Sequence, residues 1–368
     1  MRVLVTGSQG FMGKNLVVRL AEKPNIEIVT FTRSDSEASL VSLVHQADAV
    51  VHLAGENRSI DADDFIKTNT GLTKVICDAI KTSGRKILLI FVSSIHAKES
   101  NPYGKSKRAA ELVVEQLWGE AANPVVIFRL PNTFGKWSKP NYNSVVATFS
   151  HHIANDLPIQ VHDPDRLLTL VYIDDVISEF LRLLESGSEG CVWGQVTPEY
   201  CITLGELAAK IYSFKNCRSC LTVDRVGHGL TRALYATYIS FLPLSQFRYD
   251  LKQHADQRGV FVEVLKTPDC GQFSFFTAYP GVTRGGHYHH SKTEKFLVIK
   301  GAARFGFRHI ETNETYELLT TSEVPQIVET IPGWTHDITN VGEEEMIVML
   351  WASETFDRER PDTIMCKV

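Results

Sequence analysis

Short runs of apolar, often β-branched residues alternate with helical patterns over the first 130 residues of the chain. Helical periodicity fills the intervals between these runs, for example at residues 13–21 and 104–118. The alternation predicts a parallel, doubly wound α/β sheet, because parallel strands need a helical crossover between them. The predicted strands are Val3–Val5, Ile26–Phe31, Ala49–Leu53, Ile87–Val92 and Val125–Leu130.

From about residue 260 the pattern changes to closely spaced strand-like pieces separated by Gly and Pro, with almost no helical period. Such a pattern predicts a compact all-β barrel. We therefore expect two domains, at residues 1–244 and 245–368, with a mixed part of helices and loops at about 131–244 in the first. The predicted barrel strands are Val260–Leu265, Gln272–Tyr279, Lys295–Ile299, Arg304–Ile310 and Met346–Trp351.

Composition narrows the class of function. The 368 residues are 43% hydrophobic and 22% charged, as in folded globular proteins. A net charge of -5 provides no basic footprint for nucleic acid or an anionic membrane. No apolar run approaches the ~20 residues of a membrane span, and the first residues indicate a strand rather than a signal peptide. The seven cysteines, with Cys217 and Cys220 as ordinary thiols, favour a reducing cytoplasm.

Three glycines follow the first predicted strand at intervals of three residues, as Gly7, Gly10 and Gly13. A dinucleotide-binding loop has this form, because its backbone turns tightly and approaches a pyrophosphate that the helix N-terminus attracts. The second strand is followed by Arg33, at the position where an acid would select NAD. An arginine there accommodates a 2′-phosphate, so the sequence predicts NADP(H) as cofactor.

A tyrosine and a lysine four residues apart indicate catalytic chemistry. Tyr103 and Lys107 share one face of a predicted helix, and Ser93 and Ser94 end the strand before it. An ammonium beside a phenol lowers the pKa of the phenol, and a serine hydroxyl can hold a substrate oxygen. The set predicts hydride transfer.

Together these motifs resemble the extended short-chain dehydrogenase/reductase family, which has a Rossmann fold. The resemblance covers residues 1 to about 240 and includes His52–Gly55, Asn69 and Arg129–Gly135. It implies a nucleotide-sugar substrate bound by the part at about 131–244. The family's sugar 4,6-dehydratases carry an Asp-Glu pair just after the catalytic serine or threonine. Here Ile95–His96 follows Ser94, which disfavours a dehydratase.

The same resemblance implies a role for each motif residue. Tyr103 would be the proton donor, Lys107 would hold the nicotinamide ribose, and Ser94, rather than Ser93, would be the third catalytic residue. The implied cofactor-binding residues are Gly7, Gly10, Phe11, Met12, Gly13, Arg33, Leu53, Ala54, Gly55, Asn69, Tyr103 and Lys107.

A second cluster of chemically active residues lies in the predicted barrel. His287 and His289 would share one face of a strand, and Glu294 after a turn and His336 from another strand can reach the same point. Three imidazoles and a carboxylate suit one divalent metal, with zinc the first choice and iron, manganese or nickel open. The spacing is similar to the two cupin motifs and leaves His290 facing away. A metal that only supports the fold is the alternative.

A reductase joined to a cupin resembles the CapF/WbjC-like family of bifunctional enzymes of bacterial capsule and O-antigen synthesis. The resemblance implies that the cupin epimerises C3 of a UDP-2-acetamido-2,6-dideoxy-4-hexulose. The first domain would then reduce C4 with NADPH to give UDP-2-acetamido-2,6-dideoxy-L-talose, on the route to N-acetyl-L-fucosamine. The base that removes the C3 proton stays open among Lys266, Glu263 and Tyr288. We also expect a homodimer.

Two alternative functions belong to other classes of protein. One is a single-activity NADPH-dependent reductase whose cupin is a structural or dimerisation module. The other is a non-enzymatic NADP(H) sensor, which would not need the paired Tyr103 and Lys107.

Overall fold

The computed structural model describes residues 1–59, 61–359 and 361–368. It divides into two compact units. The first holds Met1–Ile211 and Ala233–Leu242, and the second holds Tyr212–Arg232 and Pro243–Val368. The segment Tyr212–Arg232, which the sequence pattern assigned to the first domain, therefore groups with the β-rich part of the chain.

A parallel sheet forms the centre of the first unit. The strands of this unit are β1 (Arg2–Thr6), β2 (Glu27–Phe31), β3 (Ala49–His52), β4 (Leu88–Ser94), β5 (Val125–Leu130), β6 (Asn132–Phe134), β7 (Leu167–Tyr172), β8 (Cys191–Gly194) and β9 (Tyr200–Thr203). The central sheet has the order β2–β1–β3–β4–β5–β8 with parallel pairing throughout, and β6–β7–β9 form a small sheet. The predicted doubly wound α/β fold is confirmed, since β1 to β5 agree with the predicted strands within two residues at each end.

Helices connect these strands and continue into the second unit. They are α1 (Phe11–Ala21), α2 (Glu37–Gln46), α3 (Ala62–Phe65), α4 (Leu72–Thr82), α5 (Pro102–Ala121), α6 (Val145–Ala154), α7 (Ile173–Ser186), α8 (Leu204–Cys220) and α9 (Gly229–Ile239), with single turns at Ile66–Gly71, Ile95–Lys98 and Leu244–Gln246. Among the described residues, no helix combines the length and the apolar character that crossing a membrane requires.

The start of α5 positions the predicted catalytic tyrosine. The Asn101 side chain accepts a hydrogen bond from the Gly104 N–H at 2.7 Å, and Pro102 occupies the first turn, where its missing N–H costs nothing. The helix therefore begins before the predicted residue 104, and Tyr103 lies in its first turn. All of β4 is buried, because helices cover both faces of a parallel sheet, and its last residues, Ser93 and Ser94, are buried with it.

The second unit contains two antiparallel sheets. Its strands are β10 (Gln253–Asp256), β11 (Gly259–Lys266), β12 (Gln272–Ala278), β13 (Thr283–Tyr288), β14 (Glu294–Lys300), β15 (Ala302–His309), β16 (Thr315–Thr321), β17 (Ile327–Glu329), β18 (Trp334–Asn340), β19 (Met346–Ala352) and β20 (Ile364–Met365). One sheet has the order β10–β11–β12–β19–β14–β17 and the other the order β16–β15–β18–β13–β20.

Both sheets contribute to one apolar core. Phe276 and Phe296 from the first sheet pack with Phe305, Phe307 and Ile338 from the second. This arrangement confirms the predicted all-β, cupin-like fold. The predicted pieces correspond to β11, β12, β14, β15 and β19, whereas polar or short strands such as β16, β17 and β20 gave no clear apolar pattern.

Candidate functional site

The glycine loop joins β1 to α1. Gly7 has φ +69°, a left-handed conformation that favours glycine, and a Cβ on Gly13 would lie 2.2 Å from the Gly7 carbonyl oxygen. Gly10 caps α1 without a side-chain hydrogen bond, and the described first turn, which includes Phe11 and Met12, contains no acidic residue. Its N–H groups therefore remain available to an anion, which fits the pyrophosphate of a dinucleotide.

A chain of hydrogen bonds starts beside this loop. Ala54 N–H donates to Thr6 Oγ1 at 3.2 Å, and Thr6 Oγ1 lies 2.7 Å from His52 Nδ1. His52 Nε2 lies 3.0 Å from Thr73 Oγ1, which itself donates to the Asn69 carbonyl oxygen at 2.6 Å. Thr73 must therefore accept from the His52 Nε2–H, which fixes the tautomer. Burial lowers the pKa of His52 to about 3, so the ring is neutral.

This series of hydrogen bonds ends at residues that were predicted to bind the cofactor. Asn69 Nδ2 donates to Ser106 Oγ at 2.9 Å, which ties it to α5. A Cβ on Gly55 would lie 3.0 Å from Asn69 Oδ1 and 3.2 Å from Lys107 Nζ. Leu53, which follows β3, is half-buried and joins this turn to β1 through its N–H. The structure thus gathers predicted cofactor residues from β3, α5 and the turn before α4.

The serine and the tyrosine meet beyond the carboxyl end of β4. Ser94 is near enough to the Tyr103 hydroxyl to act on the pKa of the phenol, and Tyr103 donates a hydrogen bond to Asn57 Oδ1 at 3.2 Å. Ser93, in contrast, donates to Glu111 Oε1 at 2.6 Å. Of the two adjacent serines, Ser94 is therefore the one beside the tyrosine. No sequence motif pointed to Asn57.

The electrostatics of the tyrosine differ from the sequence-based expectation. Burial raises the pKa of Tyr103, and the Ser94 side chain opposes this rise. Lys107 Nζ donates to the Val92 carbonyl oxygen at 3.2 Å, and burial lowers the pKa of Lys107 to about 8. The prediction that the pKa of Tyr103 is lowered is wrong for this structure, because desolvation of the phenolate dominates. A raised pKa keeps Tyr103 protonated at neutral pH, which suits a proton donor.

A buried carboxylate behind the site was not predicted. The Glu111 side chain is fully buried and accepts hydrogen bonds from Ser93, Arg108 and Arg129. Burial acts to raise the pKa of Glu111, but these three partners together hold it below its usual value. Successive side chains of a strand point to opposite faces, so Ser93 engages this cluster while Ser94 is the serine beside the tyrosine.

Arg33 lies just beyond β2, where it was expected. Its side chain is 82% exposed, and its Nη2 lies 2.7 Å from Glu56 Oε2. The nearby Asp35 carboxylate accepts from the backbone and the hydroxyl of Thr32. A surface ion pair contributes little stability, so Arg33 is able to exchange Glu56 for a phosphate.

Four side chains converge between the two sheets of the second unit. His287 on β13 pairs across the sheet with His336 on β18, and Glu294 begins β14 in the other sheet. One ligand atom from each of these residues and from His289 lies within 4.8 Å of the others. The structure therefore brings together all four residues predicted to bind metal.

The polar atoms of this cluster suit a cation. His289 Nδ1 donates to the Asp362 carbonyl oxygen, and its Nε2 is directed at Glu294 Oε2, 3.2 Å away. Among the described residues, neither ring nitrogen of buried His336 has a hydrogen-bond partner, which is costly for a buried polar group. Burial lowers the pKa of His287 to about 4, so that imidazole is neutral. This donor set fits a divalent transition metal.

The other residues that the sequence singled out in the second unit are not part of this four-residue cluster. The exposed His290 ring packs against the Tyr288 ring, with 5.4 Å between ring centroids. On β11, Lys266 Nζ lies 3.0 Å from Glu263 Oε2, so these two candidate bases form an ion pair with each other. All seven cysteines, including Cys217 and Cys220, are free thiols.

Comparison with known proteins agrees with both units. Residues 3–193 match the NAD dependent epimerase/dehydratase family, and residues 254–364 match the polysaccharide biosynthesis C-terminal domain. The chain is 57% identical over 368 residues to the UDP-2-acetamido-2,6-beta-L-arabino-hexul-4-ose reductase of Pseudomonas aeruginosa, covering 100% of this chain and 99% of the relative.

Solved structures give the same result over the whole chain. The capsular polysaccharide assembling protein CapF from Staphylococcus aureus superposes with a TM-score of 0.91 and 38% identity, covering 100% of both chains. A structure of CapF with the inhibitor 3-isopropenyl-tropolone gives a TM-score of 0.84 and 36% identity, again covering 100% of both chains.

The parallel sheet and the glycine loop are those of a nicotinamide-dependent enzyme with a Rossmann-like fold. The chain belongs to the NAD dependent epimerase/dehydratase family and, within it, to the CapF/WbjC-like enzymes that carry a second, β-rich domain.

Proposed function

We propose that the chain is a bifunctional nucleotide-sugar enzyme. It epimerises C3 of a UDP-2-acetamido-2,6-dideoxy-4-hexulose and reduces C4 with NADPH, giving UDP-2-acetamido-2,6-dideoxy-L-talose for capsule or O-antigen synthesis. The observation that carries the proposal is the full-length 57% identity to a protein named as a reductase of a UDP-linked 4-keto sugar. The cluster of Ser94, Tyr103 and Lys107 supplies the chemistry that this name requires.

The first unit would carry out the reduction. A bound nicotinamide would supply the hydride to C4. Ser94 would hold the ketone oxygen, and Tyr103, whose raised pKa keeps it protonated, would donate a proton to the oxygen that becomes the alcohol. Lys107, beside Gly55 and Asn69, would bind the ribose hydroxyls and fix the orientation of the cofactor.

The cofactor would be NADP(H), held by the residues of the glycine loop, of the turn after β3 and of α5. Arg33 would bind the 2′-phosphate through charge-assisted hydrogen bonds. The Asp35 carboxylate is engaged with Thr32, and the Glu56 carboxylate that pairs with Arg33 would give way to the phosphate.

The second unit would carry out the epimerisation at a metal centre of His287, His289, Glu294 and His336, with zinc as the first choice. A bound divalent ion would supply Lewis acidity for the substrate ketone. The convergence of one ligand atom from each of the four side chains within 4.8 Å supports the metal, as does the tropolone inhibitor of CapF, because a tropolone chelates divalent metals through two adjacent oxygens.

Epimerisation would precede reduction. The C3 proton is acidic only while C4 is a ketone, because the carbonyl delocalises the charge that develops when the proton leaves. Reduction at C4 removes this acidity. The epimer formed in the second unit would therefore be the substrate of the first.

A single-activity reductase is the second candidate. The relative with 57% identity is named only as a reductase, which favours this reading. The barrel would then serve structure or dimerisation, and its metal would only support the fold. In either case we propose domains at 1–244 and 245–368 and a homodimer in the cytoplasm.

One experiment separates the two candidates. The 4-keto UDP-sugar is incubated with the protein in deuterium oxide without NADPH, and deuterium at C3 is followed by mass spectrometry. NADPH is then added, and the product is identified by NMR. Exchange before reduction and an L-talo product support the bifunctional enzyme. Reduction without exchange supports the single-activity reductase, and oxidation of no NADPH contradicts both.

A further inference from the structure

The last residues of the sequence run along β13, the strand that carries the predicted metal ligand His287. Strand β20 pairs antiparallel with β13, so that Met365 lies opposite His287 and Ile364 lies opposite Tyr288. Cys366 N–H donates to the Gly286 carbonyl oxygen at 2.9 Å. Residues 361–368 therefore form an additional edge beside the candidate metal centre.

Within this segment, Asp362 contacts a ligand directly. Its carbonyl oxygen accepts the Nδ1–H of His289. A carbonyl oxygen can only accept, so this contact places a proton on Nδ1 and directs Nε2 toward Glu294. The backbone of Asp362 thus holds the direction of the His289 ring.

The carboxylate of the same residue binds the turn that joins the ligands. Asp362 Oδ1 accepts from the His290 N–H at 2.8 Å, and Oδ2 accepts from the N–H groups of Ser291 at 2.8 Å and Lys292 at 2.9 Å. The Ser291 hydroxyl adds a fourth hydrogen bond at 3.1 Å. These residues lie between His289 and Glu294, so one side chain fixes the loop that sets the distance between two ligands.

The neighbouring threonine extends the contact. Thr363 Oγ1 accepts from Lys292 Nζ at 3.1 Å, and Lys292 Nζ lies 3.5 Å from Glu294 Oε1. Lys292 is only 7% exposed. The segment therefore also determines where a buried positive charge lies relative to the Glu294 carboxylate.

From these contacts we infer that Asp362 is a positioning residue of the metal centre, which it holds in a binding-competent geometry from outside the ligand set. The inference rests on the proposed metal site. No motif pointed to Asp362, because it lies more than 70 residues from His289 in the sequence and only the pairing of β20 with β13 brings them together.

The test measures metal binding rather than turnover. The full-length protein is stripped of metal and titrated with Co²⁺, whose visible spectrum reports the coordination geometry, and with Zn²⁺ in competition with a chelator. Asp362→Ala should bind both metals about 10–100-fold more weakly than the wild type, the usual effect of losing an outer partner of a ligand. Its cobalt spectrum should also change.

Two further variants make the test specific. Asp357→Ala removes another aspartate from the same part of the chain, whose carboxylate accepts the Glu359 N–H, and this variant should bind metal as the wild type does. Asp362→Asn keeps an oxygen acceptor, so its metal affinity should lie between those of Asp362→Ala and the wild type. This variant also replaces Asp362→Ala in the test if Asp362→Ala does not fold.

The outcomes separate the inference from the proposed function. Wild-type affinity and an unchanged cobalt spectrum in Asp362→Ala, or in Asp362→Asn if only that variant folds, would overturn the role of Asp362 alone. A wild-type protein that binds neither metal would overturn the metal centre itself and the inference with it. NADPH binding in each variant checks that the chain is folded.

Discussion

Two buried histidines, one in each unit, have opposite surroundings. His52 has a hydroxyl partner for each ring nitrogen, whereas His336 has no hydrogen-bond partner for either within the described part of the chain. Both are at least nine-tenths buried. A histidine with two satisfied nitrogens is held in one orientation and one tautomer, while unsatisfied buried nitrogens are costly unless a ligand completes them.

The same contrast extends to the two sites as wholes. In the first unit, the proposed cofactor and substrate residues Asn69, Lys107 and Ser94 are held by hydrogen bonds within the protein. In the second unit, one ligand atom from each of His287, His289, Glu294 and His336 converges within 4.8 Å, an arrangement that a cation would complete. We therefore propose that the first site is organised by the protein alone and that the second is organised by its metal. Each prediction below tests this difference.

The largest effect should come from the proton donor. Tyr103→Phe should lower NADPH oxidation by about 10²–10⁴-fold, because the general acid is lost. Deuterium exchange at C3 should continue, since it belongs to the other unit. Tyr212→Phe, at an exposed tyrosine, serves as the control. Loss of exchange in Tyr103→Phe together with its survival in His287→Ala would reverse the assignment of the two reactions.

The metal centre should respond to one of two adjacent histidines. His289→Ala should lose the bound metal, because it removes one of four ligands, whereas His290→Ala should keep one metal per chain, because His290 lies outside the cluster. Elemental analysis of the purified variants gives the metal content. Full occupancy in a folded His289→Ala variant would show that the ligand set is wrong.

The choice between NADPH and NADH tests the proposed cofactor site of the first unit at Arg33. Arg33→Ala should reduce the preference for NADPH over NADH by about 10–100-fold, the loss expected for hydrogen bonds to a charged phosphate worth roughly 1.5–3 kcal/mol. Steady-state kcat/KM values with both cofactors measure it. The matched change Arg19→Ala, on the exposed side of α1, should leave the preference as it is. Equal preference in the wild type would rule out Arg33 as a 2′-phosphate ligand.

The smallest effect concerns pH and His52. Its pKa is about 3 in the folded chain, against an ordinary value of 6.5, so below pH 6.5 the unfolded chain binds a proton that the folded chain does not. This group's contribution is therefore complete above pH 6.5 and is lost as pH falls, by about 1.4 kcal/mol per pH unit. Urea unfolding between pH 7 and 5 should show a shallower slope in His52→Asn.

The control for this measurement is His45→Asn, at an exposed histidine of α2. Its slope should match that of the wild type. An equal slope in His52→Asn and the wild type would mean that His52 is not held neutral by burial, and the contrast between the two histidines would then fail.

Much of the first unit could be predicted because its signals are local. The strands β1, β3, β4 and β5 are apolar runs buried on both faces, and the glycine loop and the pair Tyr103 and Lys107 each lie within a short stretch of chain. The barrel ligands were also predicted from spacing. The strands of the second unit were harder to predict. For example, β13 and β18, which carry histidines, have polar sequences with no strong alternation of apolar and polar residues.

What the sequence alone determined is the chemistry available, because glycine, tyrosine, lysine and histidine in a fixed spacing act through their own backbone freedom and side-chain groups. The tertiary structure decided which groups meet. The hydrogen bond between Ser93 and Glu111, the burial that raises the pKa of Tyr103, and the contact between Asp362 and His289 all depend on segments distant in the sequence. Such contacts follow from the packing of whole elements and from desolvation, and neither quantity is encoded in any short motif.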